Sequence, residues 1–165
     1  MSIVDALLPE FDHEMDATRR VLERLPQDRL DWKPHPRSFS LGQLGTHVAM
    51  LPVWATETVT RAEIDLTGDR GQSALPSTSE ILGAFDANAA AARAALAGRT
   101  DPELLAVWSL KRNGRTLFTM PRTAVLRSFV MNHLIHHRAQ LTVYLRLLDV
   151  PVPSLYGPSA DESPF

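Results

Sequence analysis

Residues 132–141 read NHLIHHRAQL and lie within a longer segment, from Pro121 to about residue 148, whose apolar residues recur at helical spacing. Since proline is favoured as the first residue of a helix, we expect the last of four helices to begin at Pro121. His133 and His137 are four residues apart, so both imidazoles project from one face, one turn apart. That face continues into apolar residues in both directions, and we therefore expect it to point into the core.

Two imidazoles on a core-facing surface need partners. Leaving their ring nitrogens buried and unpaired costs on the order of several kcal/mol. A divalent metal ion removes much of that cost because it takes up a lone pair from each ring. The spacing His-x-x-x-His also occurs in zinc proteases, but those proteins carry a glutamate between the two histidines, and residues 134–136 here are Leu-Ile-His. A metalloprotease is therefore disfavoured, while a metal site stays open.

Three further helices are predicted before this one. Helix one covers about residues 2–25, and Pro9 lies inside its apolar pattern, so the regular helix either begins after Pro9 or kinks there. Helix two follows an N-cap at Ser38 or Ser40 and extends to about Leu66.

Helix three has the clearest boundaries. Ser77 and Glu80 form the pattern of a capping box, with Ser77 as the N-cap. The alanine-rich run that follows has high helix propensity and extends to about residue 97, where Gly98 closes it. Residues 67–76 are a loop by composition.

Residues 104–118 depart from helical spacing. Asn113-Gly114 lies between two apolar runs, which is the strongest short-range signal of a hairpin, so we expect a small β-hairpin or an extended loop before the last helix. Together these features predict an all-α fold, a four-helix bundle with crossover connections. We expect a single domain over residues 1–165, with the bundle in residues 1–150 and a proline-rich C-terminal tail in residues 151–165, lying along the body or disordered.

Composition excludes several classes of function. The chain has 165 residues, no cysteine, six histidines and a net charge of −2. It therefore has no disulfide framework, thiolate zinc finger, iron–sulfur cluster or cysteine nucleophile. The near-neutral charge gives no electrostatic footprint for nucleic acid, and no stretch approaches the roughly 18 apolar residues of a membrane span. The first residues lack the basic and apolar regions of a signal peptide, so we expect a cytoplasmic protein.

Helix two contains a candidate for a third metal ligand. His47 lies in the apolar stripe of Leu44, Val48 and Leu51, ahead of a kink expected at Pro52. Three histidines leave a coordination position for water or substrate, which is typical of catalytic rather than structural metal sites, and a metal-bound water could act as a nucleophile. Alternatively, these histidines are polar core groups satisfied by hydrogen bonds. Spacing alone leaves both interpretations open.

The other histidines have no assigned role. His13 lies in an acidic run of helix one, where Glu14 is a weaker candidate to reach the site. His35 lies between two prolines and either makes a structural hydrogen bond or lines a pocket. His136 lies at the edge of the face that carries His133 and is interpreted as a surface or interface residue that could also support the ligands.

Three segments together resemble the DinB/YfiT-like superfamily of metal-dependent enzymes. Residues 32–47 (WKPHPRSFSLGQLGTH) are similar to its lead into the second helix, residues 132–141 to its signature on the last helix, and residues 155–162 (LYGPSADE) to a tail in one branch. The resemblance covers nearly the whole chain. It implies a four-helix bundle with a divalent metal ion, most often zinc or nickel, bound by His47, His133 and His137. It also implies a homodimer.

The resemblance extends to chemistry. Similar proteins include mycothiol-dependent maleylpyruvate isomerase and bacillithiol transferases, which implies a transferase or isomerase that depends on an external low-molecular-weight thiol. A metal ion deprotonates a bound thiol, and this chain has no thiol of its own. Two alternatives remain: a metal-dependent hydrolase of a small ester or amide, and a non-catalytic, metal-stabilised stress or binding protein. The catalytic residues, the substrate and the metal are not fixed by the residues themselves, because three imidazoles suit several divalent ions.

Overall fold

Helices flank a small sheet in the computed structural model, which describes residues 2–68 and 73–163. The helices are α1 (Ile3–Leu22), α2 (Leu41–Met50), α3 (Val53–Thr60), α4 (Thr78–Leu96), α5 (Asp101–Leu105), α6 (Arg122–Ala124) and α7 (Asn132–Leu147). The strands are β1 (Glu63–Leu66), β2 (Val107–Arg112) and β3 (Arg115–Pro121), and a π-helical segment (Val125–Met131) joins α6 to α7. None of the described helices is both long and apolar enough to cross a membrane.

The prediction of an all-α four-helix bundle is wrong, because the fold is a mixed one that contains a three-stranded sheet. The strand order is β1-β2-β3, with β1 parallel to β2 and β2 antiparallel to β3. A parallel pair needs a long crossover connection, and the stretch containing α4 and α5 supplies it between β1 and β2. Part of the predicted loop at 67–76 belongs to this crossover, and its residues 69–72 lie outside the described residues.

The hairpin forms at the dipeptide that predicted it. Asn113 and Gly114 have φ angles of 49° and 78°, and they are the two residues between β2 and β3. Positive φ at both central positions is the requirement of a type I′ turn, whose twist matches that of the flanking strands. The Gly114 N–H also donates to an Asp65 carboxylate oxygen at 2.8 Å, which ties the turn to the neighbouring strand β1.

Helix two of the sequence analysis is confirmed as helical up to Thr60, with the interruption expected at Pro52, but its predicted end at about Leu66 is wrong. It consists of two helices, α2 and α3, separated at Leu51-Pro52, and the chain becomes extended at Arg61 (φ −117°, ψ 155°). Residues 63–66, expected to be the end of that helix, form β1, and Ile64 is buried against the sheet core. The break between α2 and α3 arises because Pro52 cannot donate the backbone hydrogen bond that a continuous helix would need there. Residues 63–66 form a strand because they pair with β2.

The other helix boundaries shift by a few residues. Helix one ends at Leu22 rather than 25, and it runs unbroken through Pro9 from its N-cap at Ser2. Ser77 caps α4 by accepting the Glu80 N–H at 3.1 Å, whereas the Glu80 carboxylate meets the Ser77 hydroxyl instead of completing the predicted box.

The last helix also begins later than predicted. Pro121 is the final residue of β3, so the helix starts one residue after it, at Arg122.

Two apolar clusters stabilise the described residues. The larger one joins α1, α2, α3, α4 and α7. The smaller one lies on the sheet and comprises Ile64, Trp108, Leu110 and Val125. Trp54 and Phe129 pack against this second cluster, so the sheet supports the π-helical segment just before the histidines of α7.

Between the two alternatives for the tail, the described part lies along the body. Arg20 donates to the Ser154 carbonyl at 2.8 Å, and Arg24 and Arg146 pair with Glu162 and Asp161. The final two residues lie outside the described ones.

Candidate metal centre

His47 is presented by the last turn of α2, a helix with a well-defined start. Ser40 and Gln43 form a complete capping box, with the Gln43 N–H donating to the Ser40 hydroxyl oxygen at 3.2 Å and the Ser40 N–H donating to Gln43 Oε1 at 2.9 Å. Gly45 lets the helix approach Leu25 closely, because a Cβ there would lie 2.7 Å from Leu25 Cδ1. The packing of α2 therefore fixes the position of the half-buried His47 relative to α7.

His133 and His137 meet His47 from the first two turns of α7. Their ring centroids lie 5.1 Å and 4.5 Å from that of His47, and 4.7 Å from each other. One nitrogen from each ring lies within 4.8 Å of the others, so the three could hold a metal ion. The structure thus brings together all three residues that the sequence predicted as ligands.

Burial favours the neutral form of His133 and His137. Desolvation lowers the pKa of His133, and the nearby His137 adds to that effect, while a hydrogen bond with the Phe129 backbone opposes it. Desolvation likewise lowers the pKa of His137, against the effect of a hydrogen bond with Gln140. A neutral imidazole has a free lone pair, which is the form that binds a metal ion.

The donor set fits a divalent metal ion. His47 Nε2 and His133 Nε2 are 3.3 Å apart. Two nitrogens that share a tetrahedral ion at about 2.0 Å each are separated by about 3.3 Å. Without an ion between them, the two nitrogens avoid lone-pair repulsion only if one of them carries a proton. The geometry and the neutral donors therefore suit an ion such as Zn²⁺.

Gln140 contacts two of the histidines, and the sequence analysis gave it no role. His137 Nδ1 lies 2.7 Å from Gln140 Oε1, and Gln140 Nε2 lies 3.2 Å from His136 Nε2. The signal that could have found it is its spacing, since a residue three positions after a ligand on a helix is a neighbour of that ligand. His136 is exposed and contacts Gln140 and the His137 ring.

Aromatic side chains frame the three rings. Phe39 packs beside His47 with 43 % of its surface exposed, and Phe129 packs beside His133 with ring centroids 5.8 Å apart. Tyr144 donates its hydroxyl to the Phe39 carbonyl at 3.3 Å, which fixes the backbone at this edge. The centre therefore has one apolar wall and one side that solvent can reach.

The remaining histidines and Glu14 lie elsewhere. His13 is exposed, and its ring centroid lies 6.1 Å from that of Tyr156. His35 is exposed and accepts the Arg37 N–H at 3.2 Å, which favours the structural hydrogen bond proposed for it. Glu14 does not join the centre, because its carboxylate is paired with Arg138 at 2.7 Å.

Known proteins resemble this chain over almost its full length. The uncharacterized protein YrdA of Bacillus subtilis (strain 168) is 25% identical over 162 residues, which cover 96% of this chain and 91% of YrdA. The crystal structure of a DinB-like protein from Bacillus cereus ATCC 10987 matches with a TM-score of 0.74 at 25% identity, covering 94% of this chain and 98% of that one. The DinB-like protein YjoA of Bacillus subtilis matches with a TM-score of 0.70 at 17% identity, covering 91% and 96%, which supports the fold alone.

A model of the DinB family matches residues 1–164. This match confirms the resemblance inferred from the three sequence segments, and the protein belongs to the DinB family.

Proposed function

We propose that this protein is a metal-dependent enzyme whose divalent ion, zinc or nickel, is held by His47, His133 and His137 and keeps one coordination position for an incoming ligand. The observation that carries the proposal is the convergence of three half-buried imidazoles with nitrogens within 4.8 Å. Three protein ligands and an open position are the pattern of catalytic rather than structural zinc sites.

The charge of the ligand set favours an anionic fourth ligand. The group contains three histidines and no carboxylate among the described residues, so the ligands themselves carry no negative charge. Lowered pKa values of His133 and His137 keep those rings neutral near pH 7. A divalent ion in this setting retains its full charge, which attracts an anion such as a thiolate.

We propose a low-molecular-weight thiol as that ligand, in a transferase or isomerase reaction. When bound, the ion would lower the pKa of a thiol that approaches it. The chain itself has no cysteine, so the thiol must come from solution. The histidines would hold the ion, while Phe129 and its neighbours on the sheet would shield one side of the centre from water.

Cobalt-substituted protein tests this proposal. We expect bacillithiol, mycothiol, glutathione or coenzyme A to change the visible absorption of Co²⁺ in the centre, because a sulfur ligand alters the ligand field. S-methylglutathione is the matched control, since it lacks the acidic S–H. A spectrum that none of the four thiols changes would overturn the thiol proposal.

A further inference from the structure

We infer that Gln140 is a positioning residue that fixes the tautomer of His137, so that the His137 Nε2 lone pair faces His47 and His133. This inference rests on the metal centre proposed above and concerns how the chain prepares one ligand for it. The observation that carries it is a chain of two hydrogen bonds on one face of α7, from His137 to Gln140 and from Gln140 to His136.

The first contact assigns the proton on His137. An amide oxygen can only accept a hydrogen bond. Since Gln140 Oε1 lies 2.7 Å from His137 Nδ1, that nitrogen must carry the proton and donate it. In a neutral imidazole the other nitrogen then holds the lone pair, so Nε2 is the atom left to bind a metal ion.

The second contact is satisfied by the same orientation of the amide. The Gln140 Nε2 group can only donate, and it lies 3.2 Å from His136 Nε2, which accepts. A flipped amide would place its NH₂ group against His137 Nδ1 and its oxygen against His136. That flipped arrangement requires the opposite tautomer of both rings, so the tautomer of His137 distinguishes the two orientations of the amide.

In other proteins, removing the hydrogen-bond acceptor of a metal-ligating histidine lowers metal affinity by about 10- to 100-fold. Gln140→Met keeps the length and helix propensity of the side chain and removes both hydrogen bonds. Gln140→Glu keeps an acceptor for Nδ1–H. His136→Gln removes the outer residue and leaves the Gln140 acceptor in place.

The experiment has two readouts. The tautomer of His137 is measured by nitrogen-15 NMR in metal-free protein above pH 7.5, and Zn²⁺ affinity is measured by competition with a chelator. We expect an Nδ1–H ring in the wild type that is lost in Gln140→Met, with Zn²⁺ affinity lower by about 10- to 100-fold. Gln140→Glu should restore the affinity, and His136→Gln should lose less than Gln140→Met does. Thermal unfolding of each metal-free variant, expected to match the wild type, shows that the fold is intact.

An Nε2–H ring on His137 in the wild type, or Zn²⁺ affinity in Gln140→Met equal to that of the wild type, would overturn the inference. The tautomer result is independent of whether the metal centre exists, whereas the comparison of Zn²⁺ affinities applies to a wild-type protein that binds Zn²⁺. A wild-type protein that binds no Zn²⁺ would instead refute the proposed function, while the tautomer measurement still decides the role of Gln140.

Discussion

Arg138 on α7 and Glu14 on α1 form an ion pair whose side chains are only 1 % and 6 % exposed. The guanidinium also donates to the Glu14 carbonyl and the Thr18 hydroxyl at 3.1 Å each, and it contacts Tyr156 of the tail. The Tyr156 hydroxyl in turn donates to the Glu14 carboxylate at 2.8 Å. Each charge in this cluster therefore has a partner, and removing one partner should strongly lower the free energy of unfolding.

We expect Arg138→Met to lower the free energy of unfolding by about 3 to 5 kcal/mol, because it leaves a buried carboxylate without its partner. Tyr156→Phe removes the hydroxyl that accepts from Arg138 and donates to Glu14, and it should lower the free energy of unfolding by about 1 to 3 kcal/mol. Urea denaturation measures both. The double variant Glu14→Leu/Arg138→Met should lose much less free energy of unfolding than Glu14→Leu and Arg138→Met lose together as single variants. Strict additivity of the two losses would refute the coupling.

The stability of the metal-free protein should fall on acidification through the range just below pH 6.5. Burial lowers the pKa values of His133 and His137 from the ordinary value of 6.5, so the unfolded chain binds more protons than the folded one in this range. Stability rises with pH wherever the unfolded state binds more protons. This contribution is therefore fully present above pH 6.5 and is lost as the pH falls towards the folded pKa values.

Denaturation of metal-free protein at pH 7.5 and pH 5.5 measures this effect. The variant His133→Gln/His137→Gln should show a smaller difference between the two pH values than the wild type. An equal difference in both proteins would contradict the assignment to these two rings.

Among the elements, the hairpin and α4 each contain a glycine with no atom near its would-be Cβ, and the two glycines differ in backbone conformation. Gly114 has a φ of 78°, where a Cβ is strained, whereas Gly83 lies exposed within α4 with nothing near its would-be Cβ. We expect Gly114→Ala to destabilise the protein by about 1 kcal/mol or more, and Gly83→Ala to stabilise it by about 0.5 to 1 kcal/mol. Thermal denaturation measures both, and a shift of the same sign in the two variants would contradict this account.

Elements with a local signal could be predicted from the sequence. Asn113-Gly114 specified its turn, and Ser77 specified the start of α4, because both depend on backbone chemistry within a few residues. Strand β1 could not be predicted, since its four residues alternate too briefly to be distinguished from the end of a helix. Its pairing with β2 depends on a partner more than forty residues away in the chain.

In the candidate metal centre too, the residues with a local sequence signal could be predicted and the others could not. His133 and His137 were found from helical spacing, and His47 from its place in an apolar stripe. Gln140 could not be assigned, because its role depends on which way the His137 ring and the amide turn, and spacing does not specify side-chain orientation. The resemblance to the DinB family added the order of the three segments, and the family match confirms it.

At the scale of the whole molecule, the tail joins parts that are distant in sequence. Its polar contacts reach Arg20 and Arg24 on or beside α1, and Arg138 and Arg146 on α7. We expect deletion of residues 152–165 to lower the melting temperature by about 5 °C or more, because two helices lose their shared partners and the Glu14 carboxylate loses its hydroxyl donor. Calorimetry measures this loss, and an unchanged melting temperature would show that the tail contributes nothing.

The most direct test of the central claim is the metal content of untagged protein, measured by elemental analysis. We predict about one divalent ion per chain in the wild type and the loss of most of it in His47→Ala, because His47 is the ligand that α2 brings to the pair on α7. His35→Ala is the matched control and should retain the ion, since His35 is exposed and lies outside the three-histidine group. Full retention of the ion in His47→Ala would contradict the account.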